Sequence, residues 1–334
     1  MAYWYPGVKQ VIELVKCLSP NTPVILGGIY ATLYPKHASE NSGADFIYKG
    51  HINEHIMDAL KTSGHKPGKK HLPMSYYRLG LYQGYPFAPI LTSQGCPYRC
   101  SYCASSSLFD GFLQREPLEV FREIRELHEM GVRDYAFYDD ALLVNINSHL
   151  KVILKEVIKL GLKIRFHCPN GIHAGLIDDE LAYLMKGSGF ETLRLGFETV
   201  DKKRQRDIGG KVTPELLISA VKILKRYGFT KEQIGVYLMY GLPGQPLEEV
   251  KEGVEFLKGL SVKVNLSEFS PIPGTSSWDE LKRKGILDDT IDPLLTNNTV
   301  FAYLYSGYDW KALENLKLQV KQYNVNTCVP FKFI

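Results

Sequence analysis

The chain has 334 residues, of which 45% are hydrophobic and 23% charged, a composition that excludes collagens, coiled coils, disulfide scaffolds and disordered tails. Its 40 basic residues exceed the 36 acidic ones by only four and form no block, so nothing favours a nucleic-acid-binding or membrane-surface protein. No apolar stretch approaches the roughly 18 residues of a membrane span, and Lys9, Glu13 and Lys16 interrupt the segment where a secretory signal would lie. These features predict a soluble, cytoplasmic enzyme.

The N-terminal part of the chain has the pattern of a short α/β segment. Gly7–Leu18 predicts a helix, and Pro23–Leu26 predicts a buried strand that runs into a Gly-Gly pair. Ala44–Tyr48 predicts a second strand, and Glu54–Leu60 predicts a second helix. The segment that follows, Gly64–Lys70, is rich in Gly, Lys and Pro, which indicates a linker.

The middle of the chain alternates short apolar runs with amphipathic segments. The predicted strands are Pro89–Ser93, Asp134–Asp139, Lys163–Cys168, Thr192–Phe197, Ile234–Met239 and Val264–Phe269. The predicted helices are Leu118–Met130, Leu150–Leu160, Asp178–Lys186, Pro214–Tyr227 and Leu247–Leu260. About six βα units joined by right-handed crossovers predict a parallel sheet with helices outside it. Such units curl toward a barrel with its chemistry at the C-terminal strand ends, although the pattern alone does not exclude a doubly wound sheet.

This organisation predicts three domains, at residues 1–72, 73–285 and 286–334. The first is the α/β segment and the second is the repeat of βα units. The third contains one amphipathic helix, Trp310–Tyr323, and an aromatic-rich tail, which we expect to cover the side or the mouth of the barrel.

The cysteines are distributed unevenly. They are Cys17, Cys96, Cys100, Cys103, Cys168 and Cys328. The i, i+4, i+7 spacing of the central three would also suit a buried helix face, but Gly95 and Pro97 beside the first of them oppose a helix. A structural zinc site needs a fourth ligand, and no further Cys or His lies nearby. Three soft thiolates in one loop therefore favour an iron–sulfur cluster.

The segment Cys96-x-x-x-Cys100-x-Tyr102-Cys103 resembles the signature of radical S-adenosylmethionine (radical SAM) enzymes, in which an aromatic residue precedes the third cysteine. The resemblance implies a partial (β/α)6 barrel over residues 85–284 and a four-iron, four-sulfur cluster held by the three thiolates. It further implies that S-adenosylmethionine chelates the fourth iron and that Tyr102 lies at the cofactor. An electron from a flavodoxin or a ferredoxin then releases methionine and a 5′-deoxyadenosyl radical, which attacks a substrate that the motif does not specify.

Two strand ends resemble segments with which this family binds S-adenosylmethionine. Asp139 and Asp140 follow the second strand, where the resemblance implies a site for the cofactor's ammonium group, and capping of the next helix would explain them equally well. Gly196 and Glu198 lie in a segment similar to the family's Gly-x-Glu-Ser, with Thr199 in place of Ser. The resemblance implies that Glu198 accepts both ribose hydroxyls and that Gly196 lets the backbone approach.

Two later turns resemble the family by their order after the cysteine loop, although each is only a turn signal in isolation. Tyr240 and Gly241 open a Gly-Leu-Pro-Gly turn that the resemblance places beside the adenine, and Pro273 lies in a Pro-x-Pro-Gly-Thr loop. Arg194 and Arg206 are both candidates to pair with the cofactor carboxylate. The sequence does not choose between them and does not exclude solvent-exposed roles.

Cys168 ends the third strand, and strand alternation places it on the face of Phe166 and opposite His167. Two interpretations are open: a small buried apolar residue, or a catalytic thiol that lines the substrate pocket. Only the face that looks into the barrel is compatible with the second.

The N-terminal segment resembles the second half of the cobalamin-binding domain that precedes many barrels of this kind. The Asp-x-His-x-x-Gly motif, whose His ligates cobalt, is absent, since none of the nine histidines has an Asp two positions before it. We expect the first half of the domain to be missing as well. We therefore expect a shortened or purely structural domain, doubtful binding of cobalamin and no histidine ligand to cobalt.

The sequence supports three functions. The favoured one is a radical SAM enzyme that cleaves S-adenosylmethionine reductively and acts on an unknown substrate. The half-domain leaves open a cobalamin-assisted radical SAM methyltransferase. A catalytically silent iron–sulfur scaffold is the alternative of another class, and the intact strand-end segments argue against it.

Overall fold

The structure is a computed structural model that describes residues 2–50, 60 and 86–325. The predicted helix Glu54–Leu60, except for its last residue, and the predicted linker Gly64–Lys70 lie outside the described residues, as does Cys328. No helix in the described part of the chain is long and apolar enough to span a membrane.

The observed elements agree with the predicted ones in the middle of the chain and differ by a few residues at their ends. The described strands are β1 (Ile25–Leu26), β2 (Phe46–Ile47), β3 (Phe87–Ile90), β4 (Ser93–Gln94), β5 (Leu113–Gln114), β6 (Asp134–Phe137), β7 (Arg165–His167), β8 (Ile172–His173), β9 (Phe190–Glu198), β10 (Ile234–Tyr240) and β11 (Lys263–Glu268). The described α-helices are α1 (Tyr5–Leu18), α2 (Gly28–Leu33), α3 (Pro35–Asn41), α4 (Ser105–Leu108), α5 (Pro117–Glu129), α6 (Leu150–Lys159), α7 (Asp179–Gly187), α8 (Lys202–Asp207), α9 (Pro214–Arg226), α10 (Leu247–Gly259), α11 (Ser276–Arg283), α12 (Asn298–Tyr305) and α13 (Trp310–Val325). Short elements such as β8, α4 and α8 were not predicted, because they are too short to show a period.

Six strands form one parallel sheet in the order β3-β6-β7-β9-β10-β11, and β8 pairs with β9 beside this row. The spatial order follows the chain order, and each neighbouring pair is parallel. Among the described residues, the outer strands β3 and β11 are not paired with each other, so the row is open. This arrangement confirms the predicted α/β partial barrel and rules out a doubly wound sheet, whose strand order would reverse.

Burial follows the alternation of the strands. On β9, Leu193, Leu195 and Phe197 are buried, whereas the residues between them are half-buried on the opposite face of the sheet. Helix α10 packs closely on β10 at Gly253. A methyl group added at this position would lie only 2.8 Å from the Leu238 side chain. The helix thus approaches the strand at a position without a side chain.

Helix α9 illustrates how local sequence specifies these elements. Thr213 precedes it and accepts a hydrogen bond from the Leu216 N–H with its side chain, and Pro214 occupies the first turn. Lys225 and Arg226 lie in the last turn, where their charge complements the helix dipole. The buried face consists of Leu217, Ala220, Val221 and Leu224.

The chain forms two compact units. The first is built from parts of Met1–Tyr76, Ser101–Asp110 and Ser270–Tyr305, and the second from parts of Tyr77–Cys100, Gly111–Phe269 and Ser306–Ile334. In the first unit β1 and β2 form a two-stranded parallel sheet, and the Tyr34 hydroxyl lies 3.0 Å from the Thr296 hydroxyl. The second unit contains the six-stranded sheet. The predicted division at residues 72/73 and 285/286 stays a prediction, because the first of these boundaries lies outside the described residues.

Candidate cofactor site

The three clustered cysteines lie in the loop between β4 and α4. The backbone from Gly95 to Ala104 is not helical, so the helix-face explanation of their spacing is wrong. Cys96 and Cys100 are half-buried, and Cys103 is exposed. In the part of the chain that the structure describes, no three His, Cys, Asp or Glu side chains are close enough together to hold a metal ion. The chemistry of the donor set fits an iron–sulfur cluster, because it consists of three thiols on one irregular, accessible loop.

The Asp139 carboxylate is buried and hydrogen-bonded to other residues of the protein. Its carboxylate accepts hydrogen bonds from the Thr92 N–H at 3.0 Å, the Thr92 hydroxyl at 2.7 Å and the Ser93 hydroxyl at 2.6 Å. Burial raises the pKa of its carboxyl, and these hydrogen bonds act in the opposite direction. Asp139 thereby ties the end of β6 to the residues that lead into the cysteine loop. Neither Asp139 nor Asp140 caps the next helix, which begins only at Leu150, so that explanation is wrong.

Asp140 lines a small cleft beside the cysteine loop. Tyr98 from the loop, His173 from β8 and Lys211 line the same cleft together with apolar residues that follow β6. The Lys211 Nζ lies 4.5 Å from the centre of the Tyr98 ring, and the centre of the His173 ring lies 5.2 Å from the same point. Burial, with a smaller contribution from Lys211, lowers the pKa of His173. The cleft is therefore lined by an acidic group, a basic group and an aromatic ring of the cysteine loop.

Gly196 and Glu198 make a close-packed end to β9. Glu198 has a φ of +69°, a conformation that residues with a side chain adopt rarely and at a cost. A methyl group at Gly196 would lie 3.2 Å from the Glu198 carboxylate, and one at Gly171 would lie 3.4 Å from the Gly196 Cα. Glycine at 196 thus leaves room for the Glu198 side chain. The expected binding of the ribose by Glu198 stays a prediction.

A buried network adjoining the end of β9 was missed by the sequence analysis. Glu249 accepts hydrogen bonds from the Thr199 hydroxyl, from Arg204 Nε at 3.0 Å and from Gln245 Nε2 at 3.1 Å. Arg204 also donates at 3.0 Å to two carbonyls of the Gly-Leu-Pro-Gly turn. The network joins the residue after Glu198, helix α8, helix α10 and that turn. Its members share no motif spacing, so no sequence signal pointed to them.

Tyr240 and Gly241 are held by the C-terminal part of the second unit. Tyr240 is buried, its hydroxyl donates to Glu268, and burial together with this carboxylate raises the pKa of Tyr240. The Gly241 N–H donates to the Tyr308 hydroxyl at 3.0 Å, and Lys317 Nζ lies 5.3 Å from the centre of the Tyr240 ring. The side chain of Tyr240 is thus buried and hydrogen-bonded within the second unit. A role of Tyr240 and Gly241 beside the adenine stays a prediction.

The other predicted cofactor residues have varied surroundings. Tyr102 and Pro273 are half-buried in loops, and Arg206 is exposed on α8. Arg194 is half-buried on the inner face of β9 and donates to the carbonyl of the preceding residue at 3.0 Å. Burial lowers the pKa of Arg194. Their roles toward the cofactor stay predictions.

Cys168 lies just after β7 and has 1% of its surface exposed. Phe166, which shares its face, packs against Phe137 and Phe190 with ring centres 5.0 and 5.2 Å away. His167 on the other face is half-buried and hydrogen-bonds to Thr192 at 2.8 Å. Burial raises the pKa of the Cys168 thiol. These surroundings favour the packing interpretation, and the catalytic role stays a prediction.

We expect Cys168→Ala to leave iron content, cofactor cleavage and product formation unchanged, because a free thiol with 1% of its surface exposed is most often a small packing residue. The measurements are iron per chain after reconstitution and the yields of 5′-deoxyadenosine and product. Cys17→Ala, on the exposed surface of α1, is the matched control. Loss of product with intact cofactor cleavage in Cys168→Ala alone would assign the thiol a catalytic role.

Comparison with known proteins places this geometry in a family. A family model described as the Radical SAM superfamily matches residues 90–257. The chain is 29% identical over 234 residues to an uncharacterized methyltransferase of Pyrococcus horikoshii, with 67% of this chain and 49% of the relative covered. It is 26% identical over 304 residues to an uncharacterized methyltransferase of Synechocystis, with 84% and 55% covered. The chain thus spans about half the length of these curated relatives.

Among solved structures, the fold is similar to that of the radical S-adenosylmethionine methyltransferase TsrM from Kitasatospora setae, described with cobalamin and a [4Fe-4S] cluster bound. The TM-score is 0.69 at 19% identity, and the match covers 84% of this chain and 63% of that one. At this identity the likeness concerns the fold.

Proposed function

This chain belongs to the radical SAM superfamily, and from that premise we propose that it is a methyltransferase assisted by cobalamin. Membership confirms three predictions made from the cysteine motif: the family, an enzyme, and a four-iron, four-sulfur cluster with S-adenosylmethionine as cofactors. It argues against the silent scaffold. The methyltransferase, the alternative left open by the sequence, has better support than a radical SAM enzyme of unspecified reaction.

The observation that carries the proposal is that several proteins similar to this chain are described as methyltransferases. They include the Pyrococcus and Synechocystis relatives and the enzyme with the similar fold. The match to the Synechocystis protein covers 84% of this chain and therefore includes more than the barrel. Shared methyl transfer in proteins that match 67% to 84% of this chain supports the same reaction class here.

In this proposal the chain's own residues position the cofactors. Cys96, Cys100 and Cys103 hold the cluster, which when bound supplies the electron for cleavage of S-adenosylmethionine. Glu198 accepts hydrogen bonds from the ribose. Asp139 fixes the strand end that leads into the cysteine loop, through its bonds to Thr92 and Ser93. Asp139, Thr92 and Ser93 are themselves buried, so these hydrogen bonds are shielded from water.

Cobalamin, when bound, carries the methyl group, and we expect it to bind without a histidine ligand. The His37 Nδ1 lies 2.7 Å from the Tyr30 hydroxyl, and the two other N-terminal candidates, His51 and His55, lie outside the described residues. None of the three stands in the cobalt-binding motif. Titration with hydroxocobalamin should therefore give the same spectrum in His37→Ala, His51→Ala and His55→Ala as in the unchanged chain. A tight stoichiometric complex whose spectrum depends on one of these histidines would contradict this.

The proposed reaction is tested by its products. The protein is reconstituted anaerobically with iron and sulfide, reduced, and given S-adenosylmethionine with and without cobalamin. Methyl transfer leaves S-adenosylhomocysteine, whereas reductive cleavage leaves 5′-deoxyadenosine and methionine. We expect S-adenosylhomocysteine only when cobalamin is present. If 5′-deoxyadenosine forms but cobalamin never yields S-adenosylhomocysteine, the chain is a radical SAM enzyme without methyl transfer, a candidate that the missing cobalt-binding motif favours.

A further inference from the structure

We infer that the loop of residues 208–211, which follows α8, is a clamp that positions the Cys96–Cys100 segment for the cluster. All residues of this contact lie in the second compact unit. The inference rests on the proposed role of Cys96 and Cys100 as cluster ligands. It assigns positioning roles to Gly209 and Lys211, which no sequence motif singled out.

The first contact of the clamp is between Gly209 and Cys100. A methyl group at Gly209 would lie 3.2 Å from the Cys100 Cα and 3.3 Å from its sulfur. Gly209 also has a φ of +135°, which residues with a side chain rarely adopt. The backbone of the 208–211 loop therefore lies against one proposed cluster ligand, and glycine permits both the close approach and the positive φ without strain.

The loop is itself anchored to the end of β9. Gly210 N–H donates to the Gln205 carbonyl at 2.7 Å, and Gly209 N–H donates to the Arg206 carbonyl at 3.3 Å. The buried Gln205 side chain donates in turn to the Thr199 carbonyl at 2.7 Å and to the Phe197 carbonyl. Hydrogen bonds through Gln205 and helix α8 thus connect Gly209 to the end of β9 and support its position beside Cys100.

The second contact is between Lys211 and Tyr98, which lies between Cys96 and Cys100 in the chain. The ammonium group of Lys211 lies 4.5 Å from the centre of the Tyr98 ring, a cation–π distance. The His173 ring contacts the same tyrosine, and His173 Nδ1 accepts a hydrogen bond from the Gly175 N–H at 3.2 Å. The loop segment between the first two cysteines is thereby held from β8 and from the 208–211 loop.

Two consequences follow for the cluster. Ligands held in place before the metal arrives lose less freedom on binding, and a shift of about 0.5 Å is enough to impair a metal site. Lys211 also places a positive charge beside the segment that carries two thiolates. Because a nearby cation favours the addition of an electron, Lys211 should raise the reduction potential of the cluster.

The first test compares Gly209→Ala with Gly210→Ala, using the full chain and anaerobic reconstitution. Gly210 also has a positive φ, of +61°, but a methyl group there would meet only the Arg206 Cα, at 4.0 Å. It therefore controls for a methyl group added in the same loop at a positive φ, without the contact to Cys100. We expect Gly209→Ala to lose about half or more of its iron per chain and Gly210→Ala to retain it. Circular dichroism of the metal-free proteins reports whether both variants fold.

The second test keeps the inference open to refutation if Gly209→Ala does not fold. Lys211→Met should shift the cluster's reduction potential to a more negative value and alter its electron paramagnetic resonance spectrum, whereas Lys211→Arg should restore both. A residue that merely stabilised the fold would change neither. If Gly209→Ala bound as much iron per chain as the unchanged protein, the role assigned to Gly209 would be wrong. If Lys211→Met left the reduction potential of the cluster unchanged, the role assigned to Lys211 would be wrong.

The outcome also separates this inference from the proposed function. If the unchanged chain does not bind a cluster through Cys96, Cys100 and Cys103, the proposed function fails first. If the unchanged chain binds the cluster normally and both variants behave like it, only the clamp is wrong.

Discussion

Replacing Cys96, Cys100 and Cys103 together with Ala should abolish the brown colour of the reconstituted protein and the cleavage of S-adenosylmethionine. Three of the four irons would lose their protein ligands, and no group of three His, Cys, Asp or Glu side chains elsewhere in the described residues is close enough together to replace them. The loop is irregular and partly exposed, so the changes remove little packing and the fold should stay soluble. Iron, sulfide and the yield of 5′-deoxyadenosine are the measurements.

The control for this experiment is Cys17→Ala, which changes an exposed thiol away from the cysteine loop in sequence. It should bind as much iron as the unchanged chain. If the triple variant still bound about four irons per chain, the ligands of the cluster would lie elsewhere and the assignment would be wrong.

Glu249→Ala should lower the free energy of unfolding by about 3 kcal/mol, because breaking a buried ion pair leaves the remaining charge without compensation. The Glu249 side chain is 8% exposed and its partner Arg204 20% exposed. The substitution also removes the acceptor for Thr199 and Gln245. Urea unfolding of the metal-free protein measures the loss. Glu249→Gln keeps one acceptor oxygen and should lose less stability.

The matched control is Glu215→Ala, which breaks the ion pair of Glu215 with Lys202. The side chains of both partners in this pair are well exposed, so solvent screens their attraction. The urea concentration at the midpoint of unfolding should therefore not change measurably. Equal shifts in Glu249→Ala and Glu215→Ala would show that the network contributes no special stability. Because Thr199 follows Glu198, Glu249→Ala should in addition weaken the binding of S-adenosylmethionine.

The alternation of strands and helices in the barrel could be predicted from residue patterns, and the cofactors from the resemblance of the cysteine motif to a known family. Strands such as Ile234–Tyr240 and helices such as Leu247–Gly259 show their period within a dozen residues, so local patterns are sufficient. The three cysteines and the aromatic residue between the last two also lie within one short segment. Information of this kind is local, and it does not depend on how distant parts of the chain meet.

The long-range contacts of these side chains could not be predicted from the sequence and are seen only in the folded chain. The acid Asp139 is engaged by residues 46 and 47 positions away, and Gly209 meets Cys100 across more than a hundred residues of chain. The Arg204–Glu249 pair joins two helices that no motif connects. Such contacts depend on strand register and on loop paths set by the packing of the whole sheet, and a single sequence carries no periodic signal of either. The position of a strand end can therefore be predicted from its residues, whereas the partner of the side chain at that end is decided by the fold.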